Sequence, residues 1–321
     1  VGRSEGGARA PSGPWGGLFG MLLAMVIWSV MCVATFLFAR MVHALDYRTF
    51  FRRLLGRFAV LFELAYFPSI VLMLAVFGAA AGAIGHALFT WPPLYGTLCL
   101  VAGIGYFTTF GNSSVERLFK WVSIFLYITY AAFLIIALTK FGGGIAASFA
   151  KTVPTTGWVA GGITYSAYNI IGAVVILPVM RHCASNADAV KAGLLAGPLA
   201  MLPAIVFFVC MCAFFPQVRG ETLPSDFMLR QMNLPLFHVM FQLMIFSALL
   251  ESGTGTVHSV NERIAWAYRQ RGERELPKSA RLAVAAAMLV GSVFLADRFG
   301  LVTLIARGYR MFAYAMLALY V

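Results

Sequence analysis

The stretch Glu251-Ser-Gly-Thr-Gly-Thr-Val-His-Ser-Val-Asn-Glu-Arg263 decides how the chain is read. It sets a carboxylate, several hydroxyls and two glycines directly behind the largely apolar run Met240 to Leu250. A carboxylate so placed falls within the hydrocarbon of a bilayer, where inserting an ionisable side chain costs at least ~2.5 kcal/mol. Residues kept at that cost face a cavity or a partner and mark the route of an ion or a solute. On a continuing helix Glu251, Gly255, His258, Ser259 and Glu262 share one face, with Ser252 and Thr256 beside it. This polar stripe leads from mid-membrane toward the cytoplasm.

Composition supports the membrane setting. Of 321 residues 61% are hydrophobic and only 11% charged, and the mean hydropathy is +0.84. Soluble domains carry about 25% charged residues, so these apolar runs cannot be hidden in one water-soluble core. Runs near the roughly 20 residues needed to cross hydrocarbon give nine predicted helices: 15 to 39, 58 to 87, 94 to 112, 119 to 139, 157 to 180, 192 to 215, 234 to 261, 279 to 296 and 300 to 321. The fold class expected is an all-α integral membrane protein, a multi-span helical bundle whose partner is the lipid bilayer.

The net charge of +12 raises nucleic acid as a partner, but the distribution of charge excludes it. Alternate loops hold Arg40, Arg48, Arg52, Arg53 and Arg57, then Arg117 and Lys120, then Arg181 and Lys191, then Arg263, Arg269, Arg271, Arg274, Lys278 and Arg281. The opposite side holds only Arg3, Arg9, Lys140, Lys151, Arg219, Arg230 and Arg298. This is the positive-inside bias, which puts residues 1–14 outside and the C-terminus in the cytoplasm. Cys32, Cys99, Cys210 and Cys212 fall in apolar spans and Cys183 at a span end. No disulfide framework or metal-ligand spacing results.

Residues 1–14 are too short and polar to span and read as an external stretch, the remnant of a truncated region; residues 15–321 read as one transmembrane domain. Gly13-Pro14-Trp15-Gly16-Gly17 forms a turn that delivers an interfacial Trp into the first span. In Asp46-Tyr-Arg-Thr-Phe-Phe-Arg-Arg-Leu-Leu-Gly-Arg57 the residues Phe50, Phe51, Leu54 and Leu55 share one helical face while Arg48, Arg52 and Arg53 point elsewhere. Such a segment lies in the cytoplasmic leaflet interface. In the fifth span, Gly157 to Gly172, the residues Gly161, Tyr165, Tyr168, Asn169 and Gly172 share one face. Two readings stand: interhelical hydrogen bonding, or a discontinuous helix opened at Gly161-Gly162 or Gly172 whose polar groups line a midplane site. On the second reading Tyr165, Ser166, Tyr168 and Asn169 are the substrate-binding candidates.

Together, Gly13-Pro-Trp-Gly-Gly17, Asp46-Tyr-Arg-x-Phe-Phe51, Tyr168-Asn169, Glu251-Ser-Gly-x-Gly255 and Asn261-Glu-Arg263 resemble the YkvI-type bacterial membrane proteins. These are distantly similar to the amino acid, polyamine and organocation transporter superfamily. The resemblance covers nearly the whole chain. It implies ten spans in a LeuT-like inverted repeat of two five-helix halves. The first of these spans, glycine-broken in the family, is lacking here, so that the nine are the second through tenth. It also implies that small hydroxyls on the eighth helix help hold a sodium ion, or that a protonatable group replaces it. Ser252, Thr254 and Thr256 are the matching hydroxyls, and with Glu251 they form the ion-coupling candidates.

Three functions compete on these residues. A secondary transporter of a small solute, coupled to Na+ or H+ and needing no other cofactor, accounts for Glu251 and the glycine-rich fifth span. A membrane sensor of the same fold would bind a solute without moving it. An intramembrane enzyme fits least, because His258 and Glu262 stand at i and i+4 without an HExxH motif or a nucleophile turn.

Overall fold

The computed structural model describes residues 13–109, 112–169, 172–173, 176–221, 223–270 and 277–320. The external stretch expected at 1–14 therefore lies almost wholly outside the described residues. Among these residues the fold is helical with no strand, as backbone in lipid requires, since each N–H and C=O must be satisfied within its own segment. We number the helices α1 (Pro14–Met41), α2 (Tyr47–Leu55), α3 (Ala59–Phe89), α4 (Pro93–Thr109), α5 (Asn112–Ala150), α6 (Trp158–Asn169), α7 (Asn186–Met211), α8 (Pro224–Met232), α9 (Pro235–Gln270), α10 (Lys278–Thr303) and α11 (Tyr309–Tyr320). Among the described residues six helices are long and apolar enough to cross a membrane, within α1, α3, α5, α7, α9 and α10. Helices α4, α6 and α11, of 17, 12 and 12 residues, occupy the other three expected spans.

One sequence expectation needs correction. Of the two positions offered for an opening, Gly161-Gly162 is not one, since α6 runs through both glycines from Trp158 to Asn169; Gly172 lies beyond that end, and a 3₁₀ helix is found at Leu177–His182. The connection between the sixth and seventh expected spans holds α8, with Pro224 in its first turn and Asn233 ending it in the left-handed conformation. Both are ordinary helix-boundary signals.

The chain forms two compact units, and the division falls within α3 and α5. One comprises residues 1–68, 141–217 and 306–321, the other 69–140 and 218–305. In the first, α1 is the central helix, crossing α7 and α6. Gly193 and Gly197 on α7 let the backbones touch: a Cβ at Gly193 would stand 2.6 Å from the Val33 Cα, and one at Gly197 would meet the Met25 carbonyl oxygen at 2.5 Å. Ser29 seals the crossing by donating its hydroxyl to the Leu194 carbonyl at 3.0 Å. Small residues at four-residue spacing serve this purpose in membranes, where tight packing replaces the hydrophobic effect. The α1–α6 crossing repeats the device, with a Cβ at Gly162 falling 2.6 Å from the Gly20 carbonyl oxygen. Arg40, at the end of α1, donates to the carbonyls of Cys183 and Ala184 and to the Asn186 side chain, which fixes the start of α7. Ser185 and Asp188 complete that start as a reciprocal capping box.

In the second unit α4 packs against α9 and α10. The run Gly78 to Gly85 on α3 meets α4 closely: a Cβ at Gly82 would lie 2.5 Å from the Pro93 carbonyl oxygen. Helix α8 is fastened to α9 through Asp226, which is 4% exposed. Its carboxylate takes His238 Nε2 at 2.7 Å and Gln242 Nε2 at 2.8 Å on one oxygen and Arg230 at 2.8 Å on the other. Lys140 donates to the Met232 carbonyl at 2.7 Å and so caps α8. A buried carboxylate paired on both oxygens is the arrangement that offsets its desolvation.

Candidate functional site

Helix α9 carries the polar stripe, and its glycines set how closely neighbours approach. A Cβ at Gly253 would meet Ile104 of α4 at 2.5 Å, and one at Gly255 would meet the Phe119 ring of α5 at 3.0 Å. Between them Thr254 is fully buried, and among the described residues its hydroxyl has no hydrogen-bond partner. One turn further the buried Nδ1 of His258 also finds no partner among them. Asn261 is fully buried, and no described residue satisfies its amide nitrogen or its oxygen. Positions 254, 258 and 261 stand at i, i+4 and i+7, so the three side chains form one row along the helix.

That row carries physical weight. A buried polar group without a partner costs about 1–3 kcal/mol, and folded proteins leave few of them. Three on a single helix face make α9 the place in the described fold where such groups line up. At one end of the row Arg281 of α10 donates to Glu262 at 2.7 Å, with both side chains part-buried. This pair ties α9 to α10. Toward the other end Glu251 is half-buried and makes no hydrogen bond or ion pair with a described residue.

Of the ion-coupling candidates, Thr254 alone is fully buried. Ser252 is exposed, and the Thr256 hydroxyl is spent on the Ser252 carbonyl at 2.7 Å. Ser259 likewise bonds back to the Thr256 carbonyl at 2.8 Å. Sequence reasoning did not assign His258 or Asn261 to the site. The signal was available, because both continue the spacing that begins at Thr254.

On α6 the substrate-binding candidates are engaged differently. Tyr165 packs against Ala24, Met201 and Ile205. Ser166, 2% exposed, donates within its own helix to the Gly162 carbonyl at 2.9 Å and lies 3.4 Å from the Ala24 carbonyl of α1. It borders a narrow crevice with Trp28, Met31, Cys32 and Ala173. Asn169 turns its amide back onto the Tyr165 carbonyl at 2.8 Å. The backbone of Tyr168 lies in α6, and its side chain is outside the described residues. Gly161 leaves open space where a Cβ would be, whereas a Cβ at Gly172 would meet the Trp28 ring at 3.0 Å.

No family model matches the sequence, and no curated protein does. Among solved structures, the crystal structure of MhsT in complex with L-phenylalanine superposes with a TM-score of 0.65 at 17% identity, covering 95% of this chain and 81% of that one. The chain has the LeuT-type fold. It is a multi-pass membrane protein, on the strength of that fold and of the six apolar helices among its described residues. Within this LeuT-type fold the two candidate sets belong to different compact units. Tyr165, Ser166, Tyr168 and Asn169 fall in the unit that contains α1, α6 and α7, and Glu251, Ser252, Thr254 and Thr256 in the unit that contains α4, α9 and α10.

Proposed function

We propose that this protein is an ion-coupled secondary transporter of a small solute, an amino acid or a related compound, in the bacterial cytoplasmic membrane. The observation that carries the reading is the row of buried, unpaired polar atoms on Thr254, His258 and Asn261 of α9. Hydroxyl and amide oxygens are hard donors suited to Na+. Glu251, on the same side of the helix, supplies either the negative charge that favours a cation or a carboxyl group that carries the proton. The LeuT-type fold supports the transporter class, and the hydroxyls of α9, the eighth of the ten spans that the YkvI-type resemblance implies, are where that resemblance leads one to look for the ion. On this reading Tyr165, Ser166, Tyr168 and Asn169 of α6 contribute the solute side. The arginine asymmetry of the loops supports a cytoplasmic C-terminus.

The direct test is a thermal-stability screen of the purified protein against amino acids, L-phenylalanine among them, in sodium and in choline salts. A ligand at about 100 times its Kd stabilises the folded state by about 2.7 kcal/mol, so a true solute gives a clear upward shift in melting temperature. We expect at least one amino acid to stabilise, and the Thr254→Val protein to lose the dependence of that shift on cation or pH. A panel with no stabilising member, or a solute shift indifferent to the Thr254→Val change, contradicts the reading.

A further inference from the structure

A second site of a different kind lies on α2. Asp46 starts this helix by accepting the Thr49 N–H at 2.9 Å and the Thr49 hydroxyl at 2.7 Å. Its apolar face is then locked inward, since Phe50 and Phe51 are 2% and 1% exposed and Phe51 stacks on Phe62 of α3 with ring centroids 3.7 Å apart. With Phe51 fixed, Arg48 and Arg52 flank it and line the same space, which Arg53 does not. Gly56 ends the helix at φ +56°, a conformation that favours glycine, and turns the chain directly into α3.

The turn borders an open cleft of about 610 Å³ lined by Tyr47, Arg48, Arg52 and Arg57 together with the apolar Phe51, Val60 and Phe62. Among the described residues its lining holds the guanidinium groups of Arg52 and Arg57, beside Arg48, which has a partner of its own, and no carboxylate. No side chain intrudes at the turn either, because a Cβ at Gly56 would meet nothing within 4 Å. The mouth continues onto exposed apolar positions of α3, with Val60 60% and Leu64 65% accessible. Cationic forks above and an apolar track beside them match one kind of molecule, an anionic head on a hydrocarbon tail. Guanidinium is the side chain suited to binding phosphate oxygens in pairs.

We propose that this cavity binds the phosphate group of an anionic phospholipid, with Arg52 and Arg57 as the main contacts and the acyl chain lying along Val60 and Leu64. The site is independent of the α9 row and of the solute. Removing two basic residues from beside an anionic lipid should weaken retention on the order of tenfold or more.

The experiment is native mass spectrometry of delipidated, detergent-purified protein titrated with phosphatidylglycerol, phosphatidylcholine or inorganic phosphate. Wild-type protein should retain phosphatidylglycerol in preference to phosphatidylcholine. The double variant Arg52→Gln/Arg57→Gln should lose that preference, while Arg53→Gln, which removes a charge from the same helix but not from the cavity, should keep it. Val60→Trp fills the cavity mouth from an exposed position without changing charge, and should lower retention even where the arginine variant does not fold. Equal retention of the two lipids, or as large a loss from Arg53→Gln as from the double variant, overturns the proposal. Binding of inorganic phosphate without a phosphatidylglycerol preference assigns the arginines to a soluble anion and overturns the lipid assignment.

Discussion

Gly193→Leu/Gly197→Leu is expected to yield no monodisperse protein after detergent extraction. At these positions α7 lies backbone to backbone on α1, where a Cβ at Gly193 would already sit 2.6 Å from the Val33 Cα and nitrogen. The obstructing atoms are main chain and cannot rotate away, so the helices must separate. Separation also breaks the Ser29 to Leu194 hydrogen bond. Overpacking in a tight core costs about 1–3 kcal/mol for modest insertions, which is the loss expected for Gly197→Ala alone; two leucines far exceed it. Gly161→Ala on α6 is the control, since open space surrounds that position. It should be neutral, or stabilising by up to about 1 kcal/mol through helix propensity. Fluorescence-detected size-exclusion chromatography after a heating series reads all three variants. Equal thermal tolerance of Gly197→Ala and Gly161→Ala would show that the α1–α7 crossing is not the close contact described.

The second large effect separates stability from function on α9. Thr254→Val and Asn261→Leu replace unpaired buried polar groups with apolar groups of similar size. Where such groups serve structure alone, the change is close to neutral or stabilising. Both variants should therefore fold at least as well as wild type, yet lose solute uptake by at least about tenfold, the equivalent of 1.4 kcal/mol of binding. Glu251→Gln belongs to the same test. Because Glu251 makes no hydrogen bond with a described residue, its replacement should leave stability within about 0.5 kcal/mol, the usual range for a substitution away from specific contacts. If Glu251 carries the proton, the amide mimics its protonated form, so gradient-driven uptake fails while solute counterflow exchange survives. If it helps to hold Na+, the apparent affinity for sodium falls instead. Wild-type coupling and ion affinity in all three folded variants would remove α9 from the coupling mechanism.

Much of this architecture is legible from the order of residues. The long apolar runs of α1, α3, α5, α7, α9 and α10 leave helix as the only way to satisfy backbone in lipid, and α2 announces itself by phenylalanines and arginines on opposite faces. Helix α8 carries ordinary boundary residues in Pro224 and Asn233, but at 9 residues it is too short to stand out as an apolar run. Gly161-Gly162 misled for a different reason. Glycine permits a break but equally permits contact, and only the position of Gly20 on α1 reveals that Gly162 serves contact. Ser166 follows from the same crossing, since its neighbour across the helices is the Ala24 carbonyl. Likewise, Thr254 was chosen for its hydroxyl, whereas the completeness of its burial, shared with Asn261, depends on α4 and α5 packing against the glycines that flank it. The arginine cavity is the clearest case of all: charge and amphipathicity predict a helix at the membrane surface, but the space between α2 and α3 exists only because Gly56 reverses the chain.

The account rests most directly on whether the protein moves a solute against its gradient. The deciding measurement is uptake of radiolabelled L-phenylalanine, and of any amino acid that stabilises the purified protein, into proteoliposomes under an inward sodium gradient, an inward proton gradient, both, or neither. The account predicts accumulation that requires one of the two gradients, collapses when an ionophore dissipates it, and is abolished in Thr254→Val. Saturable binding of the same amino acid with no gradient-dependent accumulation under any of the four conditions would contradict it, and would make the protein a sensor built on the transporter fold.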